Sequence, residues 1–422
     1  MTYERTAAPT PETGPAFADL EDERLRRSEG LKGAATGFID RVRAGDLGSL
    51  PVVVGLIVIW VIFEILSQGV FLSANNLVFL LVQIAAVGPI AIGIVLVLLL
   101  GEIDLSVGSV SGLAAAVLAV MAVNSNVPIG LAIVASLAVG ILIGLLYGFL
   151  YNRFGVPSFV ITLAGLLAFL GAQVIVLGPD GTINLPQSSS LVQFAAYSFL
   201  PPWLAYALAI VAGASILVGD LLRNRRRRKA GLSTMALSIT LVKSIALAVV
   251  LLAVTAYLAT DRGTSLMFVV FVLLVVAMNY LLQRTRWGRA VYAIGGNVEA
   301  ARRAGLKVRA VYFSVFILCS TFAVVGGLFS AGYGATASAQ SGTGDVNLNA
   351  IAAAVIGGTS LFGGRGSAWS ALLGVIVIQS IASGLNLISI DTNTRFIVTG
   401  AVLLLAVIVD SLSRRSRVRS GA

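Results

Sequence analysis

The sequence predicts an all-α protein, a polytopic transmembrane helical bundle of about twelve spans with broken or re-entrant segments near 101–109 and 357–366. Three observations predict it. Hydrophobic residues make up 58% of the 422 and charged residues 11%, where a water-soluble domain carries about 25% charged. The mean hydropathy is +0.96, more apolar side chain than a water-facing globule can hide. Apolar runs of about 20 residues, the length that crosses a ~30 Å hydrocarbon core, recur along the chain.

The elements follow in order. Residues 1–49 hold seven bases and nine acids and no apolar core. They read as a polar, disordered N-terminal tail, with a short helix near 20–29, and not as a signal peptide. The transmembrane body runs from 50 to 412. Its predicted spans are 50–67, 77–100, 109–124, 127–151, 158–178, 200–221, 244–260, 264–282, 310–331, 348–362, 368–388 and 396–412. Helix is the expected state because backbone in lipid must satisfy its own hydrogen bonds. Residues 413–422 form a basic tail.

Of the 29 Lys and Arg, all but Arg262 and Arg395 fall on one side of a twelve-span arrangement. That side is the cytoplasm, and it holds both termini. The net charge of +10 is thus a topology signal and not a nucleic-acid site. The cluster at 223–229 anchors the chain beside anionic lipid.

The chain has no histidine and one cysteine. Ser-His-Asp and Cys-His catalysis, His-based zinc sites and an intrachain disulfide are excluded. Cys319 lies in an apolar run and reads as helix packing. No GxxxxGK[ST] occurs, so the chain has no P-loop for ATP. No cofactor or metal is expected.

Two places break the helical pattern. GEIDLSVGS, 101–109, sets Glu102 and Asp104 beside a long apolar span. The tenth span is short and runs into a glycine-rich stretch through 364. DLSVGSVSGLAAAVLAV and SLFGGRGSAWSALLGVIV are faintly alike, a weak internal repeat that points to a transport site. Asp104 has three readings: an N-cap accepting from Ser106 or Val107, a group lining a permeation route or gate together with Glu102, or a proton carrier. Thr162 either bonds back to its own helix or faces a pore. Pro157 suits a first helical turn.

IGGNVEAARRAGLKV, 294–308, is locally specified as a short helix over 298–304. Asn297 is its N-cap, Glu299 and Arg302/Arg303 match the macrodipole, and Gly305 takes the C′ position. So short a helix is marginal alone. It is either a solvated basic loop or a docking helix, with Ala300, Ala301 and Ala304 as its small-residue surface.

Together, 101–110, VPSFVITLAG (156–165), YAIGGNVEAARRAGLKV (292–308) and AIAAAVIGGTS (350–360) resemble the permease subunits of bacterial ABC sugar importers. That family includes ribose, galactose and xylose permeases, and the xylose-type branch is the best match. The resemblance implies a permease in the bacterial plasma membrane that pairs with a second copy, or with a like subunit, to make the pore. A cytoplasmic ATPase powers it and an extracytoplasmic sugar-binding protein feeds it. It is not itself an enzyme. By the same resemblance Arg289, Gly295, Gly296, Asn297, Glu299, Ala300 and Ala301 carry coupling to the ATPase within the loop 284–309. Glu102, Asp104, Ser106, Ser109, Phe159, Thr162, Asn349, Thr359 and Ser360 are candidates for the pathway or its gate. Related chains often place an acid where Asn347 and Asn349 stand, so the departure bears on substrate. A proton-coupled secondary sugar transporter using Glu102 and Asp104, or a passive channel, are the competing expectations.

Overall fold

A computed structural model describes residues 50–391 and single positions 394, 397, 398, 400, 401 and 404. The expected tails at 1–49 and 413–422, and nearly all of the twelfth span, lie outside the described residues. Residues 203–256 form one compact unit, and 50–202 with 257 onward form another.

The larger unit is helical. Its elements are α1 (Leu50–Leu66), α2 (Ala74–Leu99), α3 (Val107–Ala119), α4 (Ile129–Phe154) and α5 (Ser158–Leu177). A π-helical turn, Val120–Asn124, continues α3. In the smaller unit α6 (Pro202–Lys229) and α7 (Leu237–Leu258) form a hairpin. Ser244 donates to the Gly213 carbonyl at 2.7 Å, and a Cβ on Gly213 would press on Ala248. Arg226 to Lys229 occupy the last turn of α6, where cations suit the negative end of the helix.

The larger unit resumes with α8 (Leu266–Arg284), the short helices α9 (Arg286–Gly296) and α10 (Val298–Arg303), and α11 (Val308–Gly334). It continues with α12 (Val346–Ile356) and α13 (Ala368–Leu387). Strands β1 (Thr182–Asn184) and β2 (Thr336–Ser338) pair antiparallel, Ile183 opposite Ala337. Among the described residues nine helices are long and apolar enough to cross a membrane.

The core is built around α2 and α11. Gly140, Gly144 and Gly148, spaced by four on α4, lie against the backbone or side chains of α11 at Ser320, Ile317 and Phe313. Small residues at this spacing bring two helix backbones close, and close packing holds helices together where lipid removes the hydrophobic drive. At the other edge α1 rests on α13: Trp60 Nε1 donates to Ser380 at 2.9 Å, and Phe63 lies over Gly384.

The expected tenth span, 348–362, is corrected. Its helix α12 has 11 residues, about 16 Å long, too short for a ~30 Å core. The coil before it, 339–345, packs inside the bundle. Gln173 of α5 donates to the carbonyls of Ser338 (2.7 Å) and Ser341 (2.9 Å), and Gly342 packs on the Gly108 carbonyl. Non-helical backbone is tolerated at this depth because protein, not lipid, surrounds it.

The third crossing has the reverse order. A coil, 101–106, comes first and α3 follows. The Ile103 amide donates to Ser158 Oγ at 3.3 Å and the Leu105 amide to Thr162 Oγ1 at 3.1 Å. The end of the bundle near Arg153, the 284–309 bases and Arg365 is its basic end. The third crossing has its coil toward that end, and the tenth has its helix toward it. They meet where the Gly108 amide donates to Asn347 Oδ1. The partner of 101–120 in this inverted arrangement is therefore 339–356, and not 360–377 as the internal repeat suggested. The stretch 368–387 is an ordinary full-length helix.

Candidate functional site

Asp104 is 1% exposed. Its Oδ1 accepts from the Ser106 amide (2.8 Å) and the Ser106 hydroxyl (2.7 Å). Ser106 Oγ in turn accepts from the Tyr147 hydroxyl at 2.7 Å. The Cys319 thiol stands 3.6 Å from Asp104 Oδ2. Cys319 is the eleventh residue beyond Val308, so Asp104 lies about 16 Å inside the basic end of α11. Among the described residues no Lys or Arg forms an ion pair with it. Neutral donors carry the whole cost of keeping this carboxyl group out of water.

The helix begins at Val107 with Ser106 in the cap position. Asp104 is thus not the N-cap. It folds the turn before the helix through the Ser106 amide, one of the two amides expected to bind it. Ser109 donates to the Ser106 carbonyl at 2.9 Å, and Thr162 donates to its own helix at Ser158 O, 3.0 Å. The first reading of Thr162 holds, since it bonds back to its own helix, and its oxygen also receives the Leu105 amide. Glu102 is half-buried and accepts from Tyr151 at 2.6 Å, while Tyr151 stacks on Tyr312 with ring centroids 4.5 Å apart.

Glu102, Asp104, Ser106, Ser109 and Thr162 thus form one cluster. Tyr147, Tyr151, Ser158 and Cys319 complete it, and sequence reasoning missed the two tyrosines. Their signal is two phenols one helical turn apart in an otherwise apolar span. Asn349 belongs to the tenth crossing: it is 7% exposed and donates to Asp345 at 2.8 Å, and its Oδ1 has no partner among the described residues. Thr359, buried at 1% with an unpartnered hydroxyl, and Ser360 lie in the turn between α12 and α13. Phe159 is 52% exposed, on the outer side of α5, and does not join the cluster.

At the basic end, Asn297 Oδ1 accepts from the Ala300 amide at 2.9 Å, capping α10. Gly305 closes α10 with φ +79°, a left-handed backbone that glycine adopts without a Cβ clash. Glu299 and Arg302 pair at 2.7 Å, an exposed pair that adds little stability. Arg289, Gly296, Glu299 and Ala300 face solvent, as do Arg302, Arg303 and Ala304. Ala301 does not: it is 4% exposed and packs into the core. The small-residue surface expected of α10 is therefore Ala300 and Ala304 framed by charge.

Gly295 also turns inward. A Cβ there would overlap the Leu99 carbonyl oxygen, and the same oxygen accepts from the Gly364 amide at 2.9 Å. Tyr292 donates to the Gly366 carbonyl at 2.8 Å, and burial pushes its hydroxyl above the usual phenol range, which keeps it a donor. The short helices α9 and α10 are thereby keyed to the end of α2 and to the turn between α12 and α13, the stretches that lead into and out of the two broken crossings.

A family described as "Branched-chain amino acid transport system / permease component" matches residues 76–407. The xylose transport system permease protein XylH of Escherichia coli K12 is 35% identical over 382 residues, 90% of this chain and 96% of that protein. The XylH of Haemophilus influenzae is 33% identical, covering 89% of this chain and 99% of its own. The ribose import permease protein RbsC of Escherichia coli K12 is 30% identical, covering 85% and 92%. No solved structure matches the chain.

Proposed function

The chain belongs to this family of transport-system permease components, and from that premise we propose that it is the membrane-spanning subunit of an ATP-binding-cassette importer for a monosaccharide, D-xylose before other sugars. The observation that carries the reading is the alignment with a xylose permease across 90% of this chain and 96% of the relative. Ribose and fructose permeases also align, so the sugar itself is the finer part of the proposal.

The chain translocates and does no covalent chemistry. A separate cytoplasmic ATPase grips α10 through Glu299, Ala300, Arg302 and Arg303, with Arg289 and Asn297 at the rim. Its movement passes through Gly295 to Leu99 and, through the same carbonyl, to Gly364. The two broken crossings then part or close at Gly108 and Asn347. Glu102, Asp104, Ser106, Ser109, Thr162 and Asn349 hold that gate rather than bind cargo in this closed state, since the carboxylates already accept from protein donors. A second copy completes the pathway, a binding protein delivers sugar at the end opposite the bases, and anionic lipid meets 223–229. Both termini face the cytoplasm.

The test is uptake by the permease reconstituted with its ATPase and binding protein. Labelled xylose should accumulate with ATP and not without it. Accumulation driven by a pH gradient on the permease alone would overturn the reading.

A further inference from the structure

At the end away from the bases, a cleft of about 340 Å³ opens between the start of α2 and the end of α13. That is within the range of small-molecule sites, about 300–1,000 Å³. Ser73, Asn75, Asn76, Gln83, Ser383 and Asn386 supply its polar wall, and Phe79 is the aromatic. Among the described residues no Lys, Arg, Asp or Glu lines it. In so apolar a chain, this gathering of neutral hydrogen-bonding groups is not explained by folding alone.

Some of these groups are structural. Ser73 caps α2 by accepting from the Asn76 amide at 3.3 Å. Asn76 donates to the Phe71 carbonyl at 2.7 Å and accepts from Ser383 at 3.1 Å, which ties α2 to α13. Gln83 is different. It is half-buried, nine residues into α2 and so about 14 Å from its start. Its side chain forms no hydrogen bond among the described residues. An amide has two donors and an acceptor, and here they stay open to the cleft and are not paired within the protein. One turn earlier, Phe79 is 40% exposed, its ring held edge-on by Tyr333 with centroids 6.0 Å apart.

We propose that this cleft is an entry station for a neutral polyol, with Gln83 as its deepest hydrogen-bonding group and Phe79 as the apolar platform. Vicinal hydroxyls pair with amides, which both donate and accept, and the C–H face of a pyranose lies on an aromatic ring. A branched-chain amino acid, the cargo in the family description, carries an ammonium and a carboxylate. The lining residues offer neither group an opposite charge, and Asp261, behind Asn75 at 3.5 Å, is already paired with Arg262 at 3.3 Å, so the cleft favours sugar over zwitterion. The inference rests on the proposed sugar import and adds the place where sugar first meets the permease.

The test uses the full chain in lipid nanodiscs. Saturation-transfer NMR should report D-xylose binding to the wild type and no leucine binding. Gln83→Leu and Phe79→Ala should each lose the xylose signal, while the thermal melt of Gln83→Leu stays at or above the wild type. In the reconstituted importer, Gln83→Leu should raise half-saturation for xylose by about tenfold, as expected for one lost buried hydrogen bond. An unchanged xylose signal and unchanged uptake in Gln83→Leu, or leucine binding equal to xylose, would overturn the station. If the intact importer moves sugar but Gln83→Leu is silent, only the station fails. If it moves no sugar, the proposed function fails and the binding signal alone decides the station.

Discussion

Gly295 of α9 lies flush on the carbonyl of Leu99, the last residue of α2, with no space for a methyl group between them. The same carbonyl takes the Gly364 amide. One oxygen therefore joins a surface helix to both glycine-broken regions of the bundle.

A side chain at this point should uncouple the machine. Gly295→Val should leave the ATPase bound, because the exposed residues of α10 are untouched, and lower ATP-driven uptake by more than about tenfold, the effect of roughly 1.4 kcal/mol. Co-purification and uptake measured on the same preparation check it. Full uptake would show that the Leu99 contact transmits nothing.

Charge reversal at Glu299 tests the grip itself. The Glu299–Arg302 pair is on the surface, so Glu299→Arg should leave the melting temperature unchanged. The yield of the permease–ATPase complex should fall severalfold. An unchanged yield in a pull-down would move the docking surface elsewhere.

The Asp104 cluster yields a stability prediction. Tyr147→Phe removes the hydroxyl that donates to Ser106, a buried bond whose loss costs about 1 kcal/mol. Detergent-solubilised protein should melt at a lower temperature. Asp104→Leu should cost more, because it strands the Ser106 amide and hydroxyl together. Equal melts for Tyr147→Phe and wild type would remove Tyr147 from the Asp104 cluster.

Helix packing has its own test. Gly144→Leu forces a side chain into the Ile317 backbone and should destabilise by about 3 kcal/mol through overpacking. Gly130→Leu, on the same helix with open space around it, should insert and melt normally. Thermal unfolding of both variants separates a packing effect from loss of glycine in general.

Local signals were legible in the sequence where they act locally. Asn297, Glu299 and Gly305 specify α10 within nine residues, and the structure places that helix at Val298–Arg303. Span positions were legible because hydropathy alone decides what sits in lipid. The tenth span was drawn too far because its helix stops at Ile356, where Gly357 and Gly358 end it, while Leu361 and Phe362 keep the stretch beyond apolar. The GxxxGxxxG pattern of α4 was readable and went unread, and it marks the face that meets α11.

The sequence by itself determined a multi-pass helical permease, a one-sided distribution of bases and a capped helix among them, because bilayer thickness, charge and helix capping act on neighbours along the chain. Only the tertiary structure decided that Ala301 and Gly295 turn inward, that Phe159 turns away, and that Tyr147 and Cys319 complete the Asp104 cluster. It also decided that 101–106 and 339–345 are coils crossing in opposite senses. A backbone amide or carbonyl outside a helix is tolerable in hydrocarbon only when a side chain from another helix reaches it, as Ser158 and Thr162 reach amides and Gln173 reaches carbonyls, and no spacing along one strand of sequence records which helix that is.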